Sequence, residues 1–219
     1  RNKINFYYVS APKNWQIKIF KILGISESKL INSSKNKHIF ADQVICLDHP
    51  WYHKGFIQDQ VKRIPKWVVL INRKNFLKKA SKFKCSKKFF LDRSSSKFNH
   101  CQIFDQKHIN KWVKKNDLKI YKPEKISFKK QIYLFKKASV ILGAHGAAFT
   151  NIIFCRPGTK IIEIIPANHP NRKCERISKI LKLKYFRIVT KPDNSNKNFP
   201  FRIHLEKKHF KMIDEAINL

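Results

Sequence analysis

A histidine set between two glycines, in Leu142-Gly143-Ala144-His145-Gly146-Ala147-Ala148-Phe149-Thr150-Asn151, is where this chain first offers the makings of a ligand site. An apolar, strand-like run ends at Leu142 and a helix-forming run begins near Gly146. Gly143 permits a tight turn, and Gly146 and Ala147 carry little or no side chain, so a ligand can approach the backbone. The first N–H groups of a helix lack intrahelical partners and sit at the positive end of its dipole, which suits a phosphate. The same G-x-x-G spacing also serves close packing of helix on strand, and both readings stand at this point. His145 could donate to a phosphate oxygen or take part in proton transfer. Thr150 and Asn151 fall on the first turns of the helix, where they face a ligand or cap and pack. Asparagine is a poor helix former, which favours a contact.

Two charged residues extend the site. Glu163 follows Gly143 by 20 residues, inside the otherwise apolar strand Lys160–Ile165. A carboxylate buried in a strand needs a partner, because desolvation is costly. That partner is a ligand hydroxyl, as in dinucleotide folds, or a protein group such as Arg156 or a backbone N–H. Arg93 and Ser94 follow the apolar Phe89–Leu91. A guanidinium with hydroxyls at the carboxyl end of a strand suits a diphosphate; the other reading is a solvated turn.

The elements that hold these residues alternate between strand and helix. Strands are expected at Ile4–Val9, Gln43–Leu47, Phe89–Leu91, Leu118–Tyr121, Ser139–Leu142, Lys160–Ile165, Tyr185–Val189 and Arg202–Leu205. Helices are expected at Trp15–Leu23 (stopped by Gly24), His108–Asn116, Ala147–Phe154, Asn171–Leu183 and Glu206–Asn218. Another starts after Ser127, with Phe128, Ile132 and Phe135 on one stripe. The basic stretch 58–80, interrupted by Pro65, is expected to hold a strand or short helix and a connector. The alternation implies an α/β fold with a Rossmann-like parallel sheet, its ligands outside the carboxyl ends of the strands. Composition turns most Lys/Ser-rich at Lys78–Lys88, which places a domain boundary near residue 80: residues 1–80, then residues 81–219.

Hydrophobic residues make up 42% of the 219-residue chain, a globular composition. No run approaches the ~18–20 apolar residues of a membrane helix. The chain opens without Met or a signal-like apolar segment, so a fragment of a cytoplasmic protein is expected. Five scattered cysteines, without a Cys-x-x-Cys, speak against a disulfide framework or zinc site. The formal charge of +34 has two readings. One is attraction to anions such as nucleic acid, anionic lipid or phosphorylated substrates. The other is drift in base composition, since 39 Lys stand against 9 Arg and are spread over the whole chain.

Gly143-Ala144-His145-Gly146-Ala147-Ala148-Phe149-Thr150-Asn151, then Phe154, Pro157-Gly158-Thr159 and Glu163-Ile164-Ile165-Pro166, resemble the signature of glycosyltransferase family 61. Phe90-Leu91-Asp92-Arg93-Ser94 is similar to the family's strand ending in Arg-Ser. Ile126-Ser127-Phe128 through Gln131 and Ala138 resembles the helix before the glycine motif. The resemblance implies the C-terminal lobe of a two-lobe GT-B enzyme, residues 81–219, with part of the acceptor-side N-terminal lobe in residues 1–80. It implies sugar transfer with inversion from a nucleotide-sugar donor, which is a substrate, so that no cofactor is expected. A bound metal is not expected either, and the sequence contains no Asp-x-Asp. Donor-binding residues would be Arg93, Ser94, Gly143, His145, Gly146, Ala147, Thr150, Asn151 and Glu163, with His145 the catalytic candidate. The acceptor would be a glycan or lipid-linked hydroxyl in surface polysaccharide biosynthesis, with the basic surface resting on the anionic inner face of a membrane.

The family's second Arg and Asn-Glu pair is not matched by Asn99-His100-Cys101-Gln102-Ile103-Phe104-Asp105-Gln106, and its acceptor-side Asn/His helix is not found. These departures keep an inactive relic among the alternatives. A basic nucleic-acid-binding protein is another, which lacks a recognised motif here. A dinucleotide-dependent oxidoreductase is a third, which lacks G-x-G-x-x-G.

Overall fold

A computed structural model describes residues 4–46, 49, 54, 63–95, 101–169, 171–191 and 201–219. They form two compact units, 1–49 and 50–219. In the first, β1 (Tyr7–Val9) and β2 (Leu30–Asn32) pair in parallel, Tyr7 opposite Leu30. The helix Asn14–Ile22 is their crossover. Gln16 Oε1 accepts the Lys13 N–H at 2.8 Å and closes its first turn. The strand expected at Gln43–Leu47 is absent over residues 43–46, Leu47 lying outside the described residues. Val44 and Ile45 favour a strand but pair with none among the described residues, and both are exposed.

The second unit is built on five parallel strands. These are β3 (Lys88–Leu91), β4 (Lys119–Tyr121), β5 (Val140–Ala144), β6 (Lys160–Pro166) and β7 (Lys184–Thr190). Their order across the sheet is β4-β3-β5-β6-β7. The expectation of an α/β Rossmann-like parallel sheet therefore holds. Apolar runs such as Val140-Ile141-Leu142 and Ile161-Ile162 are buried on both faces, as parallel sheets require. One face carries Phe90, Leu142, Ile162 and Ile164 in a core with Ile109, Val113 and Ile213. Those last three come from the helices Gln106–Lys115 and Lys207–Asn218. On the other face Phe89 meets Phe135 of the helix Phe128–Lys137, ring centres 5.6 Å apart.

The helix Lys66–Leu77 belongs to this second unit. Pro65 is its N-cap, which explains why a proline sits in that stretch. Phe76 lies edge-on to Phe128 and Phe154, at 5.3 and 6.3 Å. Arg73 Nη1 donates to the carbonyls of Ile153 and Cys155, both at 2.6 Å. Those contacts tie the helix to Ala147–Phe154, where the expected helix winds as a 3-10 helix. The strand expected at Arg202–Leu205 is reduced to bridge pairing at Arg202 and Ile203, the latter with Ile103. Among the described residues no helix is long and apolar enough to cross a membrane.

The order β4-β3-β5 sets a switch point. The chain leaves β3 toward one edge and returns across it to β5. Ligands of such sheets bind outside the carboxyl ends of the two strands that part there. The last β3–β5 pair before that gap is Leu91 with Gly143. Gly143 is a strand residue and not a turn. A Cβ there would lie 3.1 Å from Leu91 Cβ and carbonyl oxygen and 3.3 Å from the Phe149 ring. Gly143→Ala is expected to destabilise the chain by about 1–3 kcal/mol through this overpacking. A lower urea midpoint at unchanged slope would show it.

Candidate functional site

At the carboxyl end of β3, the Asp92 carboxylate is buried and holds the following turn. Its Oδ1 accepts the Ser94 N–H at 2.8 Å and its Oδ2 the Ser94 hydroxyl at 3.0 Å. Lys122 Nζ approaches both residues, 3.1 Å from Ser94 Oγ and 3.5 Å from Asp92 Oδ2. Arg93 is thereby turned across the switch point, and its Nη1 donates to the backbone carbonyl of His145. Its guanidinium lies directly on Gly146, where a Cβ would overlap it. Gly146 has φ 173°, extended backbone open to any residue. Gly143 is therefore needed for room against Leu91, Gly146 leaves room for the Arg93 guanidinium as it lies here, and the tight turn expected at Gly143 is not made. Residues 96–100, which hold part of the family departure noted above, lie outside the described residues.

His145 follows β5. Its N–H donates to the Ile164 carbonyl at 2.8 Å, so the backbone continues the sheet for one more step. Its side chain is 3% exposed and its Nδ1 lies 2.6 Å from Glu163 Oε1. The Glu163 side chain leaves the same sheet face from β6. Its other oxygen, Oε2, accepts the Tyr185 hydroxyl at 2.6 Å. The partner that Glu163 required is thus the protein, through His145 and Tyr185 and not Arg156. Burial pushes the Glu163 carboxyl up, but the hydrogen bond and charge of His145 outweigh it. Further hydrogen bonds from Tyr185 and Cys174 help, and the carboxyl ends below its usual range. An ionised carboxylate only accepts. His145 Nδ1 must then carry a proton toward Oε1.

The surroundings are cationic. Burial lowers the Lys173 ammonium and the Arg93 guanidinium from their ordinary values, so both sit where a negative ligand would relieve them. Burial also pushes the Cys101 thiol up to about 12 and the Cys174 thiol well above its ordinary value, so neither is a thiolate. His145 Nδ1, a Glu163 oxygen and Cys174 Sγ lie within 4.8 Å of one another, donor chemistry that zinc accepts. Here the three groups hydrogen-bond among themselves. His169, three residues beyond β6, lays its ring 4.3 Å from that of His145, and Phe201 lies 4.7 Å beyond it.

A cavity of about 150 Å³ opens between the ends of β3 and β5. It is lined by Leu91, Arg93, Ser94, Cys101, Gln102 and Ala144 among others. Arg93, Ser94, Gly143, His145, Gly146 and Glu163 therefore gather around the switch point. Ala147, Thr150 and Asn151 do not join them in the same way. Ala147 and Thr150 are exposed on the 3-10 helix. Asn151 Nδ2 donates to Gln131 Oε1 at 2.8 Å, and Gln131 Nε2 in turn holds the carbonyls of Pro123 and Ile126. Asparagine in that helix is explained by this brace. Sequence reasoning missed Asp92, Lys173, Cys174 and Tyr185. Asp92 carried a signal, an acid two residues before a serine at a strand end, the pattern of an Asx turn. The other three carried none.

Comparison with known proteins meets this geometry. A stretch of 60 residues is 42% identical to a beta-1,2-xylosyltransferase of Arabidopsis thaliana, covering 27% of this chain and 11% of that protein. A stretch of 63 residues is 35% identical to a beta-1,2-xylosyltransferase of Oryza sativa subsp. japonica, covering 29% of this chain and 12% of that one. The chain thus aligns with only a small part of these relatives. The sequence profile of Glycosyltransferase 61 matches residues 6–162, from β1 to the middle of β6, and the chain belongs to that family.

Proposed function

We propose that this chain is the donor-binding part of a glycosyltransferase that moves a sugar from a nucleotide-sugar to a hydroxyl of a glycan or lipid-linked acceptor. The observation that carries the reading is the buried Glu163–His145 pair at the switch point, with Arg93 donating to the His145 carbonyl and the Lys173 ammonium within electrostatic reach of Glu163. Cations and helix-terminal N–H groups there would stabilise the charge that develops on a leaving diphosphate. His145 Nε2 is the group available to take the acceptor proton. As the chain stands, His169 covers that ring and must turn aside for an acceptor to touch it. Inversion follows from direct displacement at the anomeric carbon. The two-lobe GT-B arrangement, with residues 81–219 in the donor lobe, is part of the same proposal. So are a role in surface polysaccharide assembly without a bound metal, and a cytoplasmic position at an anionic membrane face.

Thermal denaturation with uridine, guanosine, adenosine and thymidine diphosphates and their sugar esters tests this. One nucleotide is expected to raise Tm by about 5–10 °C at a concentration about 100 times its Kd. No rise with any of them, together with RNA binding that falls steeply with salt, would favour the nucleic-acid reading of the +34 charge.

A further inference from the structure

Glu163 is held from two sides by groups that do different things. His145 Nδ1 lies 2.6 Å from Oε1, and Tyr185 donates to Oε2 at 2.6 Å. Tyr185 comes from β7, where it pairs with Ile161, two residues before Glu163, so both side chains leave the same sheet face. The Tyr185 hydroxyl has the carboxylate as its partner. With one oxygen fixed by the phenol, the carboxylate cannot rotate, and Oε1 is presented to Nδ1 in one orientation. We infer that Tyr185 is a positioning residue: through Glu163 it holds His145 as the Nδ1–H tautomer, which leaves Nε2 as the proton acceptor of the site. This rests on the proposed sugar transfer for its use, but not for its existence.

In the step it serves, the acceptor oxygen bonds to the anomeric carbon as the bond from that carbon to the diphosphate oxygen breaks. The bonding pair leaves with the diphosphate. The acceptor proton passes to His145 Nε2, and Glu163 balances the imidazolium. A wrong tautomer would place a proton where the acceptor's own proton must go. Groups that orient a histidine from behind in this way are commonly worth about 10–100-fold in the function they support.

The test is nitrogen-15 NMR of the chain labelled at histidine, which separates the two tautomers. In the wild-type chain His145 is expected to be the Nδ1–H form. In Tyr185→Phe, which keeps the ring and loses only the donor, a mixture of tautomers is expected. In sugar transfer by the same variant, kcat is expected to fall about 10–100-fold with the donor KM unchanged. Para-aminophenylalanine in place of Tyr185 keeps a donor at the same reach and should restore the single tautomer; para-methoxyphenylalanine, which fills the space without a donor, serves if Tyr185→Phe fails to fold. A single Nδ1–H tautomer in folded Tyr185→Phe would overturn the inference. So would one zinc ion per chain bound at His145, which would take the place of the Nδ1 proton. Because the tautomer is read without turnover, a chain that transfers no sugar still tests the relay, and a failed relay leaves donor binding standing.

Discussion

Glu163→Ala is expected to destabilise the chain by about 3–5 kcal/mol, the range for breaking a buried pair by removing one partner. At about 2–4 °C per kcal/mol this lowers Tm by roughly 6–20 °C. The loss is large because three donors converge on one carboxylate. His145 Nδ1–H, the Tyr185 hydroxyl and the Cys174 thiol would all be left without an acceptor in a site that admits almost no water. Glu163→Gln should cost less but remain destabilising, since its amide brings a second donor into a site already full of donors. The acid dependence follows in sign. Burial raises the Glu163 carboxyl, His145 and Tyr185 lower it further than burial raises it, and the net direction is down. A carboxyl depressed in the folded state contributes stability that is present above its unfolded value of about 4.3. That contribution is lost as pH falls through the folded value. Urea midpoints of the wild-type chain are therefore expected to drop on acidification below about pH 4.5 more steeply than those of Glu163→Gln. Parallel acid profiles would show that the carboxylate is not ionised in the folded chain.

His145→Asn is expected to lower sugar transfer by about 10²–10⁴-fold in the complete enzyme, the range for removing a general base. Asparagine keeps a side-chain N–H that can donate to Glu163 Oε1, so the buried carboxylate retains a partner. It has no basic nitrogen to replace Nε2. Fold and catalysis are thereby separated: Tm should stay within a few degrees of wild type while kcat collapses. Nucleotide affinity should change little, since the cations beside the site, Arg93 and Lys173, are untouched. A rate within about tenfold of wild type, in a variant that is folded and binds donor, would remove His145 from the chemistry. Alanine at this position answers a different question, because it also strands Glu163.

The scaffold was legible in the sequence wherever local pattern and burial agree. β3, β5 and β6 read as short apolar runs because a parallel sheet covered on both faces needs apolar residues at consecutive positions. The helices Gln106–Lys115 and Phe128–Lys137 showed their buried stripes, and Ser127 stands at the N-cap of the second, while the cap Asp105 of the first went unread. Short strands failed where pairing decides. Leu30-Ile31-Asn32 became β2 and residues 43–46 did not become a strand, although the latter carry more β-forming residues. A three-residue strand exists only through its neighbour, and β1 chose its partner by position.

Residue types alone determined that a histidine flanked by glycines would stand at the carboxyl edge of a parallel sheet, with an arginine close by. They also demanded that a carboxylate in an apolar strand find a partner. The tertiary structure decided who that partner is. Glu163 meets His145 across 18 residues and Tyr185 across 22, distances in sequence that no local period spans. It also reassigned the glycines. Gly143 and Gly146 sit in extended backbone that any residue can adopt; what excludes a side chain at Gly143 is Leu91 opposite it, and the end of the Arg93 side chain occupies the space over Gly146. Conformational preference is written into a residue, but the space beside it is set only when the strands have paired.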